Sequence, residues 1–490
     1  MDRSIPFSEI SLSTHPEKRT DMLSIADRLT VPQVFFNSKH IGGADETIAE
    51  LNKWDEEQSF ATALDRYKME IEAQPDPEDS RLAIPTTPPA VEKPTPPRDK
   101  EKSIRLPDGS MATVLEVMLN LQNVLPIADL KHNLTIYKKA FNGVDSAVAL
   151  AKAYNVTIDD ALAFGKRLDA ANIIHHVVNE HRYGNNLYYY RLQCHHQPNI
   201  LNSFRVWTER VDDDAMALLS RLKKLLSKVE SDVTDNQGRV DYKNAPKNEN
   251  WPIFEEAVCE LQGVDMGKMD EHTKLAFGIN LYNLMIKYAF MKVGIGSTTT
   301  SRSSFFSGVS MNIGGDIMSF SDLENGVMRG NRKPPYSFTV PFPKKDPRSR
   351  LPVENVDCRI HFALNCGATS CPPVKNFTVA AIEEELRIVA LAFVEQDDNC
   401  KVVQETHTLF LSKIFDWYGS DFAPSKKGLP AKVLMFLRGT KKEVLQAMIA
   451  SGKPVDVKFS VYDWGTNASD FVPFDVNILK ANYTSALALI

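Results

Sequence analysis

From Pro75 to Pro97 the chain reads PDPEDSRLAIPTTPPAVEKPTPP, which holds eight of its 28 prolines. Proline fixes φ and removes a backbone donor, so this stretch is expected to be a stiff, extended tether and not a core element. A chain cut there cannot close around one continuous core. Its 490 residues suffice for roughly three or four domains of about 100–150 residues each. The 43% hydrophobic and 24% charged content supports packed interiors. A net charge of −6 gives the whole chain no electrostatic case for nucleic acid. No apolar run reaches the roughly 18–20 residues of a membrane span, and MDRSIPFSEISLSTHPEKRT at the start has no apolar signal segment. Six cysteines in such a length do not make a disulfide framework, so a reducing, cytoplasmic setting is expected.

The tether and its flanks, residues 73–110, separate three regions. Residues 1–72 pair short strands, IPFSEISL and VPQVFF, with a helical PEKRTDMLSIADR and a second helix running from about Asp45 through IAELNKWDEEQSFATALDRYKMEIEA. Residues 111–198 form a helical module closed by a hairpin, in which NIIHHVV and LYYYRL flank the turn-rich NEHRYGNN. Residues 203–475 form a large mixed region, opened by a helix with Leu218, Leu222, Leu225 and Val229 on one stripe. The expected fold is multidomain α+β: a partial thioredoxin-like α/β fragment, a winged-helix module and a large mixed α+β domain.

In the first region Thr30, Val31 and Pro32 make an extended X-Pro step, and a cis bond there would turn the Val31 backbone outward. Gly42 and Gly43 then open a helix with Asp45 in its first turn. Free amides at a helix start seat a carboxylate, and Asp45 would meet an ammonium group beside it. The residue order, from IPFSEISLSTHPEKRTDM through TVPQVFFNSKHIGGADE, resembles the glutaredoxin family over about residues 5–57. The resemblance implies a glutathione-like site made by Thr30, Val31, Pro32, Gly42, Gly43 and Asp45. A glutaredoxin begins with a strand, a Cys-containing motif and a helix, which nothing before Ile5 supplies. Two expectations follow: the sequence starts short of that domain's beginning, or the half-domain packs on something else. As written it lacks the attacking thiolate of thiol exchange.

In the middle module Thr157 heads TIDD, a capping box into a helix with Ala161, Phe164, Leu168 and Ala171 on one face. YKKAFNGVDSAVAL, ALAFGKRLDAANIIHHV and NNLYYYRL together resemble the DEP domain, although Ala149 stands near a position where that family usually has Trp. The resemblance implies docking on a membrane or on a membrane-bound partner. Residues 129–192 hold eight Lys or Arg against six Asp or Glu, too even a balance for purely electrostatic membrane binding. A protein partner, membrane-associated ones included, is therefore expected. No basic recognition helix for DNA is present. His175-His176 and His195-His196 suggest metal, but neighbours on a strand point to opposite faces, so a half-buried hairpin is the better reading.

The last region carries AFGINLYNLMIKY, DLENGVMRGN, DCRIHFALNCGATSCPP, LFLSKIFDWYGSDF and VYDWGTN. In this order they resemble the family called domain of unknown function 547 over about residues 210–470, with Gly278 standing where Trp is usual. His361, Cys366 and Cys371 stand at equal spacings of five, with Cys358 just before them. Three arrangements fit. Cys371, or Cys366, is a nucleophile with His361 as base and Asn280, Asn283 or Glu324 as orienter. Alternatively, Cys358, His361, Cys366 and Cys371 hold zinc, an irregular spacing made harder by RIHFAL, which reads as a strand. Or both cysteines are small packed residues beside a core histidine. Asp416-Trp417-Tyr418 and Asp463-Trp464 read as structural, with Asp serving the aromatic tips.

Two functions follow. One is an intracellular signalling or scaffold protein with a docking module and a glutathione-sensing fragment. The other is an enzyme: a Cys/His thiol hydrolase or transferase, or a glutathione-dependent oxidoreductase if the start is incomplete.

Overall fold

The computed structural model describes residues 8, 10, 18–26, 32–57, 60–73, 80–83, 103–132, 135–211, 215–335, 337–372 and 374–479. The chain divides into two compact units after His196.

In the first unit, helix α1 (Lys18–Ala26) precedes a hairpin of β1 (Val34–Phe36) and β2 (Lys39–Gly42). Asn37, at φ 55°, makes its turn. The expected single helix is two, α2 (Ala44–Glu56) and α3 (Phe60–Ala73). Trp54 and Tyr67, one from each helix, stack at 5.9 Å and both meet Phe36 at 5.3 Å. The strand expected in IPFSEISL lies outside the described residues, apart from residues 8 and 10.

The described residues resume at 103, inside the stretch 73–110 expected as a tether. Strands β3 (Ser103–Arg105) and β4 (Met111–Thr113) pair across the LPDGS turn, where Asp108 Oδ1 accepts the Ser110 amide. A Pro-Asp-Gly turn thus makes a hairpin of residues 103–113, most of which fall within the expected tether. Thr113 and Glu116 form a capping box into α4 (Val114–Val124). Next come β5 (Ala128–His132), β6 (Thr135–Asn142), α5 (Gly143–Tyr154), α6 (Ile158–Ala170), β7 (Ile174–His176) and β8 (Tyr189–Leu192). The four strands form one antiparallel sheet in the order β5-β6-β8-β7.

Thr157 caps α6 by accepting the Asp160 amide, and Ala161, Phe164 and Leu168 are buried. Ala171 is not on that face: the helix ends before it and it is exposed. Ala147 and Leu150 face the core while Ala149 is only half-buried, so the interior forms without a Trp there. The four histidines do not share one partner. His175 Nε2 and His196 Nδ1 meet at 2.9 Å, whereas His176 Nδ1 accepts from the Glu180 amide at 3.2 Å.

The second unit opens with α7 (Ala215–Asp232), whose buried stripe is Leu218, Leu219, Leu222, Leu226 and Val229; Leu225 packs at its edge. Strand β9 (Val240–Asp241) and α8 (Trp251–Ala257) follow. Helix α9 (Glu271–Val293), capped by Asp270, is buried on all sides, as a helix apolar all round must be. The space at Gly278 is filled by Met328, whose Sδ would stand 3.0 Å from an added Cβ. Beyond it lie α10 (Thr299–Gly308), the hairpin β10 (Ser310–Ile313) and β11 (Asp316–Ser319), and a π-helical turn at Asp322–Met328.

A second core forms where α11 (Ile382–Glu395) covers a sheet of β12 (Cys400–Val403), β13 (Thr408–Leu411) and β14 (Asp456–Phe459). Between β13 and β14 lie the short helices α12 (Ile414–Trp417), α13 (Gly419–Phe422) and α14 (Leu429–Leu434), then α15 (Gly439–Ala450). Strand β15 (Ala468–Asp470) returns to pair in parallel with β9. The segment Cys358–Phe362 joins the two cores, sending Ile360 into the one around α9 and Cys358 and Phe362 into the other. It is a 3₁₀ turn and not the expected strand, because Asp357 caps it by accepting the Arg359 amide.

Candidate functional site

Two asparagines on α9 hold the loop that carries the cysteines. Asn283 Nδ2 donates to the Ala363 carbonyl at 3.0 Å, and its Oδ1 accepts the Asn365 amide at 2.9 Å. Asn280 does the same at Phe377, with bonds of 2.7 and 3.1 Å. Asn365 closes the loop on itself by donating to the Pro372 carbonyl at 2.8 Å. Gly367, at φ 84°, presses against Phe290 of α9, and a Cβ there would lie 2.4 Å from the ring. Only glycine meets both demands.

This loop brings the half-buried cysteines face to face, Cys366 Sγ to Cys371 Sγ at 3.0 Å. The Tyr462 hydroxyl reaches both sulfurs, at 3.4 Å from Cys366 and 3.2 Å from Cys371. The Cys366 amide also donates to Cys371 Sγ, at 3.1 Å. The Cys366 thiol donating to Cys371, joined by Tyr462 and that amide, outweighs burial and lowers Cys371 from 9.0 to about 7. The same contact, with burial, pushes Cys366 well up. The shared contact thus eases loss of the first proton from the pair and opposes loss of the second.

His361 lies in a buried cluster around Asp421, whose tyrosines also feel the charge of the sulfur pair. Its Nε2 meets Asp421 Oδ2 at 2.9 Å, and its ring stacks on Tyr418 at 3.9 Å. Arg329 grips Asp421 through two bonds of 2.5 and 3.0 Å, and Arg332 adds a third at 2.8 Å. Burial would raise Asp421, but the bonds from His361 and Arg329 hold it well below the usual range. Burial lowers His361, against the pull of Asp421 and Glu324. Glu324, on the π-helical turn, stands 3.4 Å from the Tyr282 hydroxyl. Burial and the Glu324 charge raise both Tyr282 and Tyr418.

Several expectations change on this geometry. No hydrogen bond joins His361 to either sulfur; its carboxylate partner is Asp421. Asn280 and Asn283 are loop clamps bonded to backbone, not orienters of His361. Glu324 reaches tyrosine, not a thiol. The four-ligand zinc arrangement is not assembled: Cys358 packs in the second core, and among the described residues no group of three or more His, Cys, Asp or Glu converges. Asp416 pairs with Lys413 at 2.6 Å, and Trp417 packs at a tilt against Tyr462 and Trp464. Of the glutathione-like site, Thr30 and Val31 lie outside the described residues, as does the side chain of Asp45. Pro32 is exposed, its carbonyl 3.6 Å from where a Gly43 Cβ would stand. The Gly43 amide expected to be free is taken by Glu46 at 3.0 Å, the N3 carboxylate of its own helix.

Asp421 and Tyr462 are the residues that spacing alone misses. They come to His361 and Cys371 from 60 and 91 residues away.

Residues 266–394 match the family Protein of unknown function, DUF547. That stretch is a DUF547 region. It contains both asparagine clamps, Glu324, His361 and the cysteine pair, while Asp421 and Tyr462 lie beyond the matched span of the DUF547 region. Residues 1–41 match the family Glutaredoxin. Glutaredoxin 3 of Escherichia coli (strain K12) and Glutaredoxin 3 of Escherichia coli O157:H7 are each 36% identical over 47 residues, 10% of this chain and 57% of the relative. The chain therefore spans little more than half the length of these curated relatives. The first cysteine of the sequence is Cys194, so the residues matching Glutaredoxin contain none. No helix among the described residues is long and apolar enough to cross a membrane.

Proposed function

We propose that the second unit performs thiol–disulfide exchange at Cys371 and Cys366. The observation that carries this reading is the 3.0 Å approach of the two sulfurs, with the lower pKa on Cys371. The Cys371 thiolate attacks one sulfur of a disulfide, forming a mixed disulfide and releasing a thiolate that takes a proton from solvent. Cys366 then gives its proton to solvent and attacks Cys371 Sγ, closing a Cys366–Cys371 disulfide and releasing the second thiol. The protein dithiol loses two electrons and the substrate disulfide gains them. An attacking thiol works best with a pKa near the ambient pH, which favours Cys371 over Cys366 as the first nucleophile.

Glutathione is the proposed thiol partner, supported by the glutaredoxin match of residues 1–41. A reducing compartment, cytoplasmic and in part peripheral at membranes, fits a pair that must be returned to the dithiol. Docking by residues 111–198 on a protein, or on a membrane-associated partner, joins the proposal as the scaffold role. The helix–hairpin–helix–helix–hairpin order supports a DEP-like winged helix, and Leu187 (72% exposed) and Tyr188 offer apolar surface beside β8.

The test is the pH profile of alkylation at each cysteine, read by peptide mass spectrometry. Cys371 is expected to react with a midpoint near pH 7 and Cys366 only at much higher pH. Equal, slow reaction of both thiols with midpoints above 9 would defeat the reading. A hydrolase or transferase using His361 would instead show Cys371 reactivity collapsing in His361→Ala, an outcome the exchange reading does not expect.

A further inference from the structure

Beside the sulfur pair stands an aromatic wall that ends in an arginine. The Tyr462 ring lies 4.8 Å from Trp417 and 4.7 Å from Trp464. The guanidinium of Arg302, on α10, sits 4.7 Å over the Trp464 ring. The wall is fixed to the cysteine loop by backbone: the Thr369 amide donates to the Gly465 carbonyl at 2.7 Å, and the Asp463 amide donates to Ser370 Oγ at 2.9 Å. Arg302 Nη1 donates to the Ser297 carbonyl at 3.2 Å, and among the described residues no carboxylate is paired with it. Trp464 is 38% exposed, so the platform faces solvent. Tyr462 and Trp464 thus link the two sulfurs to the Arg302 guanidinium, which has no carboxylate partner among the described residues.

A guanidinium binds a carboxylate through paired N–H donors, and its stacking on an aromatic face keeps that fork in place. Such a cation, two aromatic rings from the thiol pair, offers a local site for negative charge. We propose that Arg302 is a specificity-determining residue, holding a carboxylate of a small acidic disulfide while Cys371 attacks its sulfur. The assignment rests on the exchange chemistry proposed above and names its substrate class: disulfides whose carboxylates lie within reach of the reacting sulfur, with the aromatic wall supporting the chain between.

The test uses the full chain in its dithiol form and two disulfides, oxidised glutathione as the acidic one and bis(2-hydroxyethyl) disulfide as the neutral one. The rate of Cys366–Cys371 disulfide formation is followed by mass. Arg302→Gln is expected to slow the reaction with oxidised glutathione on the order of tenfold and to leave the neutral disulfide within about twofold. Arg302→Lys, which keeps the charge, should recover part of the loss. Equal losses with both disulfides would show a structural effect on the loop and overturn the assignment, and so would no loss with either. If the wild-type chain reacts with the neutral disulfide but shows no preference for the acidic one, Arg302 has no such role and the exchange reading stands. If it reacts with neither, both fall.

Discussion

The region that matches Glutaredoxin and the region that holds the thiol pair are different parts of the chain. Residues 1–41 match a redox family and contain no cysteine, and the Gly43 amide nearby is taken by Glu46. Residues 358–371 belong to a DUF547 region, whose family name states no reaction, and hold three of the six cysteines. In the first region the signature is a run of neighbouring residues, so a short match suffices to reveal it. In the second, the sulfur pair is assembled by contacts among distant residues: Tyr462 on both sulfurs, Gly367 against Phe290, and asparagines of α9 on the loop. Sequence likeness to a redox family and an assembled thiol pair need not fall in the same place.

The largest expected effect tests how firmly the second unit depends on its buried charges. Asp421, its side chain buried, is held by His361 and Arg329. Removing one partner strands the others, at a cost of about 3–5 kcal/mol. Asp421→Ala should lower the second unit's stability to chemical denaturant by that amount, and a loss below about 1 kcal/mol would show that the cluster is not what holds α13 to the Cys358–Phe362 turn.

Acid bears on buried groups in both units. In the first, burial lowers His175 from 6.5 to about 4 and His196, with its neighbour His175, to about 2. The folded form therefore binds fewer protons than the unfolded one. Stability is complete above pH 6.5 and is lost as pH falls toward 4, by about 3 kcal/mol for His175 alone. Asp421 is also depressed, but from a carboxylate's starting point, so its contribution in the second unit persists until pH drops below about 4. Burial lowers His361 of the second unit as well, so both units lose stability as pH falls below 6.5, and the second loses the Asp421 contribution only below about 4. Histidine NMR signals should show His175 and His196 staying neutral at pH 5.5 in the folded protein; titration of either near pH 6.5 would contradict this assignment.

Tyr462→Phe removes one hydrogen bond from each sulfur without emptying the aromatic wall. The midpoint of Cys371 alkylation should rise from about 7 by roughly half to one pH unit. An unchanged midpoint would leave the Cys366 thiol and amide as the whole cause. The smallest effect lies in the first region. Glu46→Ala removes the carboxylate that caps α2 and should cost about 1 kcal/mol of helix stability while freeing the Gly43 amide.

Local chemistry made part of this legible. The Thr157 cap, the apolar α9 and the β7–β8 hairpin each follow from short-range rules, and each is present. RIHFAL misleads because one side chain, Asp357, turns an alternating run into a 3₁₀ turn. The LPDGS hairpin hides beside a proline-rich stretch whose composition dominates its surroundings. The cysteine pair is visible as spacing, and Gly367 between its members signals a tight loop, but nothing in the sequence near Cys371 announces Tyr462. The same holds for Asp421, which displaces the expected orienters of His361 because β13 and the short helices after it return the chain to the first turn of the loop.

The central claim is that Cys366 and Cys371 are a working redox pair, and a redox titration tests it most directly. The full chain would be equilibrated in buffers of defined reduced-to-oxidised glutathione ratio, quenched with a thiol-blocking reagent and weighed. The account predicts an intramolecular Cys366–Cys371 disulfide that forms and reverts in one two-electron step, with a midpoint between roughly −180 and −300 mV, and no such step in Cys371→Ser. If both thiols stay fully blockable across that range, the two sulfurs are packed neighbours and the exchange function is wrong.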